Sequence, residues 1–157
     1  MIRPAVPADA PLVLALILEL SEYERLAHEV DASEEMIAAA LFGQNPRVFC
    51  DIGESQGEPA GLALWFYSFS TFRGRHGIYL EDLFVRPAFR GRGIGRALFA
   101  NLARRCVAEG LPRLEWSVLD WNEPALGFYR RLGAQAMEGW TRHRLSGEPL
   151  AELGAGL

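Results

Sequence analysis

The run Arg90-Gly91-Arg92-Gly93-Ile94-Gly95-Arg96 carries the plainest chemical potential in the chain. It lies between an apolar strand ending at Val85 and an amphipathic stretch whose apolar positions include Ile94, Leu98 and Leu102. Glycines there let the backbone turn tightly and aim successive N–H groups at one spot. The following helix N-terminus adds about half a positive charge. Those are the requirements of a pyrophosphate cradle, and the arginines strengthen it. A dinucleotide fingerprint needs its third glycine one position later, where Arg96 stands. A glycine-rich turn without a ligand remains the plain alternative. Just upstream, Glu81 and Asp82 form an acidic pair in the otherwise apolar strand Ile78–Val85. Regular alternation sends neighbouring side chains to opposite faces, so one acid alone would face a cleft unless a bulge intervenes.

The charge pattern separates these features. The chain has 157 residues and a formal net charge of −4, and every one of its 16 basic residues is arginine. The absence of lysine excludes Schiff-base chemistry, a lysine general base and a Walker-type phosphate loop. Seven acids lie between Glu19 and Glu35 against the single base Arg25, and six arginines and no acid lie between Arg86 and Arg105. The first segment suits a cationic partner and the second an anionic one. Cys50 and Cys106 are too few for a disulfide scaffold, and no base accompanies Cys106 to activate it. His28, His76 and His143 lack metal-ligand spacing, so no metal is expected. An acidic isoelectric point and the lack of an interleaved aromatic platform argue against nucleic acid. Leu12–Leu18 is far too short to span a membrane, which leaves a soluble cytoplasmic protein as the expectation.

The elements that must position these residues can be read from periodicity. A short strand over 2–5 precedes a helix capped by Asp9 and running to about Leu26. Ser33 starts a second helix that ends near Gly43. Val48–Ile52 and Ala60–Phe69 read as a hairpin, followed by a loop over 70–77 and the strand 78–85. A helix over Gly93–Glu109, a strand over 114–119, a helix over 123–132 and a last strand over 140–145 complete the order, with a frayed tail. Residues 1–157 therefore read as a single α/β (α+β) domain, a mixed sheet with helices on both faces.

Arg90-x-x-Gly93-x-Gly95, opening a helix after an apolar strand, resembles the coenzyme motif of the GCN5-related N-acetyltransferases (GNAT). The likeness extends through Ile2-Arg3-Pro4-Ala5, Tyr23-Glu24, Tyr79-Leu80-Glu81-Asp82, Trp121-Asn122-Glu123-Pro124, Phe128-Tyr129-Arg130-Arg131 and Gly139-Trp140. In that order these segments resemble the spermidine/spermine (diamine) branch. The resemblance implies a mostly antiparallel mixed sheet of six to seven strands, splayed between the strands 78–85 and 114–119, and a homodimer. It implies acetyl-CoA held by Leu83, Phe84, Val85, Arg90, Gly91, Arg92, Gly93, Ile94, Gly95, Arg96, Asn122 and Tyr129.

The resemblance also implies direct acetyl transfer to a primary amine of a small polyamine, diamine or amino acid. Such amines are mostly protonated at pH 7, so a carboxylate must attract the cation and accept a proton. The family pattern points to Glu81 as a water-relayed base and Tyr129 as the acid that protonates the leaving thiolate. Tyr23, Glu24, Glu81, Asp82 and Trp140 would line the amine site, with a backbone N–H near Phe84 for the oxyanion. One departure stands out. The polyamine enzymes carry an acid in the loop before Tyr-Leu-Glu-Asp, whereas Ser70–His76 has none and has two arginines. That charge disfavours a long polycation if it faces the site, and suits a shorter diamine or an amino acid such as thialysine, ornithine or lysine. A catalytically silent coenzyme-binding or sensing module is the competing reading.

Overall fold

In the computed structural model, which describes residues 1–156, the chain groups into two compact units, Met1–Leu119 and Asp120–Leu157. The first holds a five-stranded sheet in the order β1-β2-β3-β4-β5, with β1 Ile2–Pro4, β2 Phe49–Ser55, β3 Glu58–Ser70, β4 Arg75–Val85 and β5 Leu114–Trp116. The first four strands pair antiparallel, and β5 joins β4 in parallel. The mixed, mostly antiparallel sheet is the expected one, with five strands instead of six or seven. The β2–β3 hairpin closes through Gln56 and Gly57, both at positive φ (53° and 82°), which matches a two-residue turn to the twist of the strands.

Alternation assigns the two faces. Cys50 and Ile52 of β2, Leu62 and Leu64 of β3 and Phe84 of β4 share a core with Val13, Leu16 and Leu20 of α1 (Ala10–Tyr23) and Leu41 of α2 (Glu34–Phe42). On the opposite face, a Cβ on Gly53 would meet Ile94 and Leu98 of α3 (Ile94–Glu109), so glycine there is what lets the helix start approach the sheet. Helix α3 buries Ile94, Leu98, Leu102 and Cys106 at four-residue spacing. Asp51 lies buried on this same face, accepting a hydrogen bond from Trp65 Nε1 at 2.9 Å.

Several boundaries move. Helix α1 stops at Tyr23, not Leu26, because Arg25 adopts a left-handed conformation (φ 61°) and Leu26 N–H closes back on the Ser21 carbonyl. Asp9 precedes that helix without capping it; its carboxylate is taken by Val6 N–H and by Arg3. Ser33 does cap α2, accepting from Met36 N–H at 3.2 Å. The strand expected over 114–119 ends at Trp116, since the last rung, Leu80 with Trp116, lies immediately before an irregularity in β4.

The second unit contains α4 (Glu123–Arg131) and α5 (Gly147–Gly154). No strand forms over 140–145. Thr141–Arg144 present only polar side chains, and every residue of the segment is exposed, leaving no apolar face to bury. The tail expected to fray instead forms α5.

Candidate active site

The irregularity in β4 answers the question of the paired acids. Leu64 pairs with Asp82, while the next residue of β3, Trp65, pairs with Leu80. Glu81 is therefore an extra residue, a β-bulge. Paired residues share a face, so Leu80 lies with Trp65 on the α3 side and Asp82 lies with Leu64 and Phe84 on the α1 side. Without the bulge Asp82 would share the face of Leu80. The same step ends the β5 ladder at Leu80, so the main chain over 81–85 has no sheet partner on that side among the described residues. The sheet splays where the resemblance implies, and Leu83, Phe84 and Val85 lie on the opened edge.

Asp82 is half-buried, and its carboxyl titrates at about 6, raised from 3.8 first by burial and then by the charges of Glu81 and Glu24. Burial also raises the Glu24 carboxyl. Glu24 caps the C-terminus of α1, held by the turn at Arg25, and Tyr23 precedes it. Asp82 thus feels acids from two elements distant in sequence, Glu81 beside it on β4 and Glu24 at the end of α1, with the Tyr23 ring next to Glu24 in the chain. Like charges near a half-buried carboxyl disfavour its ionisation, and a bound cation relieves that cost.

The glycine run has the backbone its sequence requires. Gly91 and Gly93 sit at φ 76° and 79°, and Gly93 is the N-cap of α3. A Cβ on either would meet nothing within 4 Å, so it is the left-handed conformation that selects glycine. Ile94 is buried, anchoring the helix start, Gly95 follows it in the first turn, and Arg92 and Arg96 are exposed. Arg90 donates from Nε to the Val85 carbonyl at 2.9 Å, and its guanidinium lies 4.9 Å from the Tyr23 ring and 5.8 Å from that of Phe84. The glycine loop and the end of α1 at Tyr23 and Glu24 are consequently neighbours.

Two arginines of the basic segment serve other ends. Arg86 chelates Glu19 at 2.8–3.2 Å and reaches the Pro59 carbonyl, pinning α1 to the sheet. Arg105 pairs with Glu109 at 3.2 Å and lies over the Trp65 ring. The charge blocks are thus partly structural. In the second unit, Asn122 is 7% exposed and caps α4, its side-chain oxygen accepting from Ala125 N–H at 3.4 Å. Tyr129 lies half-buried on the same helix, with its ring 5.7 Å from that of Phe128. Trp140 is 82% exposed in a stretch without regular structure. Among the described residues no cluster of three or more His, Cys, Asp or Glu side chains could hold a metal ion, and no helix is long and apolar enough to cross a membrane.

A left-handed glycine loop opens α3 beside a bulged and splayed strand. The acetyltransferase (GNAT) family profile matches residues 14–134, and the chain belongs to that family. It is an acetyltransferase. It is 42% identical to a thialysine N-epsilon-acetyltransferase from Bos taurus over 98% of this chain and 96% of that protein. An L-ornithine N5-acetyltransferase from Arabidopsis thaliana is 29% identical over 97% of this chain and 86% of its own length. The fold is shared with an integron cassette protein from the mobile metagenome of V. cholerae, with a TM-score of 0.82, 25% identity and coverage of 99% of this chain and 98% of that one.

Proposed function

We propose that the protein transfers an acetyl group from acetyl-CoA directly to the side-chain amine of a small amino acid or diamine of thialysine, ornithine or lysine type. The half-buried Asp82 carboxyl, raised by burial and by the charges of Glu81 and Glu24, carries this reading, since a bound cation would relieve that cost. The names of the similar proteins, thialysine and ornithine acetyltransferases, support the substrate class.

The residues present fit the coenzyme. N–H groups of the loop over Gly91–Gly95, the start of α3, and Arg92 and Arg96 would hold its pyrophosphate. The opened backbone of Leu83–Val85 offers donors and acceptors to an extended chain, and the family resemblance points to Asn122 as a further coenzyme contact. The coenzyme supplies the thioester-activated acetyl group.

Asp82 and Glu24 hold the ammonium form of the substrate, with Tyr23 as an aromatic wall. Glu81 accepts the amine's proton through water, freeing the lone pair that attacks the acetyl carbon. A backbone N–H near Phe84 stabilises the oxyanion. Tyr129 returns a proton to the departing thiolate, a task suited to a phenol, which normally stays protonated at neutral pH. The reaction is tested by thiol release with acetyl-CoA across thialysine, ornithine, lysine, putrescine and spermidine. Turnover with the amino acids or the short diamine is expected. Tight coenzyme binding with no release for any amine would favour a silent binding module. A homodimer and a cytoplasmic location complete the proposal.

A further inference from the structure

The wide β3–β4 turn and the entry to β5 build a second pocket, lined by Phe72, Arg73, Arg75, Pro112 and Arg113, with a cavity of about 360 Å³. We propose that it binds a compact polyanion, a phosphate ester or polycarboxylate carrying at least two negative charges. Three arginines from two segments far apart in sequence line it. Guanidinium stays charged throughout the biological pH range, and its planar fork matches an oxyanion in bidentate fashion. Among the described residues none of the three is within ion-pair distance of a carboxylate. Glu109, the acid before Pro112 at the end of α3, is already held by Tyr67 at 2.8 Å and by Arg105.

The backbone brings the two segments together. Ile78 N–H donates to the Arg113 carbonyl at 3.0 Å, and a Cβ on Gly77 would come within 3.0 Å of that same oxygen, so glycine lets β5 begin close against β4. The turn is drawn in by Gly74 at φ 62° and by Arg73 N–H donating to Ser70 Oγ at 3.3 Å. Phe72, 96% exposed, adds an apolar wall to a charged opening. Uncompensated like charges brought together raise the local potential, which an anionic ligand lowers.

The pocket is separate from the proposed acetyl-transfer site. Arg75 begins β4, six residues or roughly 20 Å from Glu81 at the strand rise, and Arg113 lies opposite Gly77, four residues or roughly 13 Å from it. The glycine cradle follows the other end of β4, about 30 Å or more from Arg75 by the same measure.

Calorimetric titration of the full chain with inorganic pyrophosphate and, separately, with citrate tests the assignment. The Arg73→Gln/Arg113→Gln variant should lose at least tenfold in affinity for one or both anions, while an Arg92→Gln/Arg96→Gln variant retains that binding event. Tighter binding of pyrophosphate names a phosphate ester as the source, and tighter citrate binding a polycarboxylate. All substituted side chains are exposed, and circular dichroism checks that the folds match. No binding of either anion, an unchanged isotherm in Arg73→Gln/Arg113→Gln, or loss only in the cradle variant would overturn the proposal.

Discussion

Replacing Asp82 by Asn should stabilise the fold at neutral pH while it damages turnover. The Asp82 carboxyl titrates at about 6 in the folded chain against 3.8 without the fold, so the folded state holds the proton more tightly. Burial is the first cause, followed by the charges of Glu81 and Glu24. For a raised acid the stabilising contribution is fully present below 3.8 and is lost as pH rises through about 6. At pH 7.5 ionised Asp82 therefore costs stability. At about 1.4 kcal/mol per pH unit the cost is bounded near 3 kcal/mol, and solvent reaching the half-buried carboxylate trims it to roughly 1.5–3 kcal/mol. An amide of the same shape escapes that cost. For a chain of this size Asp82→Asn should raise Tm by roughly 3–10 °C at pH 7.5. The gain should fall to about half at pH 5 and vanish below pH 4 as wild-type Asp82 becomes protonated. Calorimetric or fluorescence-detected melting across that range reads it, and the amine kcat/KM of the same variant should drop at least tenfold. An unchanged or lowered Tm at pH 7.5, or a gain that does not depend on pH, would refute the reasoning.

Glu24→Gln removes a like charge that helps raise Asp82, so the acid limb of the kcat/KM profile should move to lower pH while KM for the amine increases; an unmoved limb counts against the cluster. Gly93→Ala places a Cβ on a left-handed residue with φ 79° and should cost about 1–2 kcal/mol, together with a several-fold loss of coenzyme affinity by calorimetry. Gly61→Ala sets a Cβ against the Phe84 carbonyl, pushing β4 away from β3, and should lower stability by about 1–3 kcal/mol in denaturant melts. Tyr129→Phe should lower kcat by about 10²–10⁴-fold with little change in amine KM, and retention of full turnover at saturating substrate would remove the acid assignment.

The course of the chain was legible wherever one signal dominated. Gly93 and Gly110 bound an amphipathic run and became the two ends of α3, and Ser33 and Asn122 became caps because their side chains reach the third following N–H. Residues 140–145 were illegible for a physical reason. Trp140, Thr141 and Leu145 favour a strand locally, yet the intervening Arg142–Arg144 offer no face to bury, and tertiary pairing decides strand formation. The acidic pair was half legible. Alternation posed the choice between Glu81 and Asp82, but a bulge depends on pairing between β3 and β4, which no local pattern in 78–85 encodes. The arginine block misled in part because charge counting cannot distinguish Arg86, locked to Glu19 across 67 positions, from Arg92 and Arg96, which remain exposed. The arginines of the second pocket were visible singly; the closeness of 73–75 to 113 comes from the parallel β4–β5 pairing.

The most direct test incubates the purified protein with acetyl-CoA carrying an isotopically labelled acetyl group and with thialysine or ornithine, then identifies the product by mass spectrometry and NMR. Label appearing on the side-chain amine, in one-to-one stoichiometry with released thiol, is the predicted result. Thiol released without a labelled amine, or label on the protein with none on the amine, would contradict direct acetyl transfer at the Glu24–Glu81–Asp82 cluster.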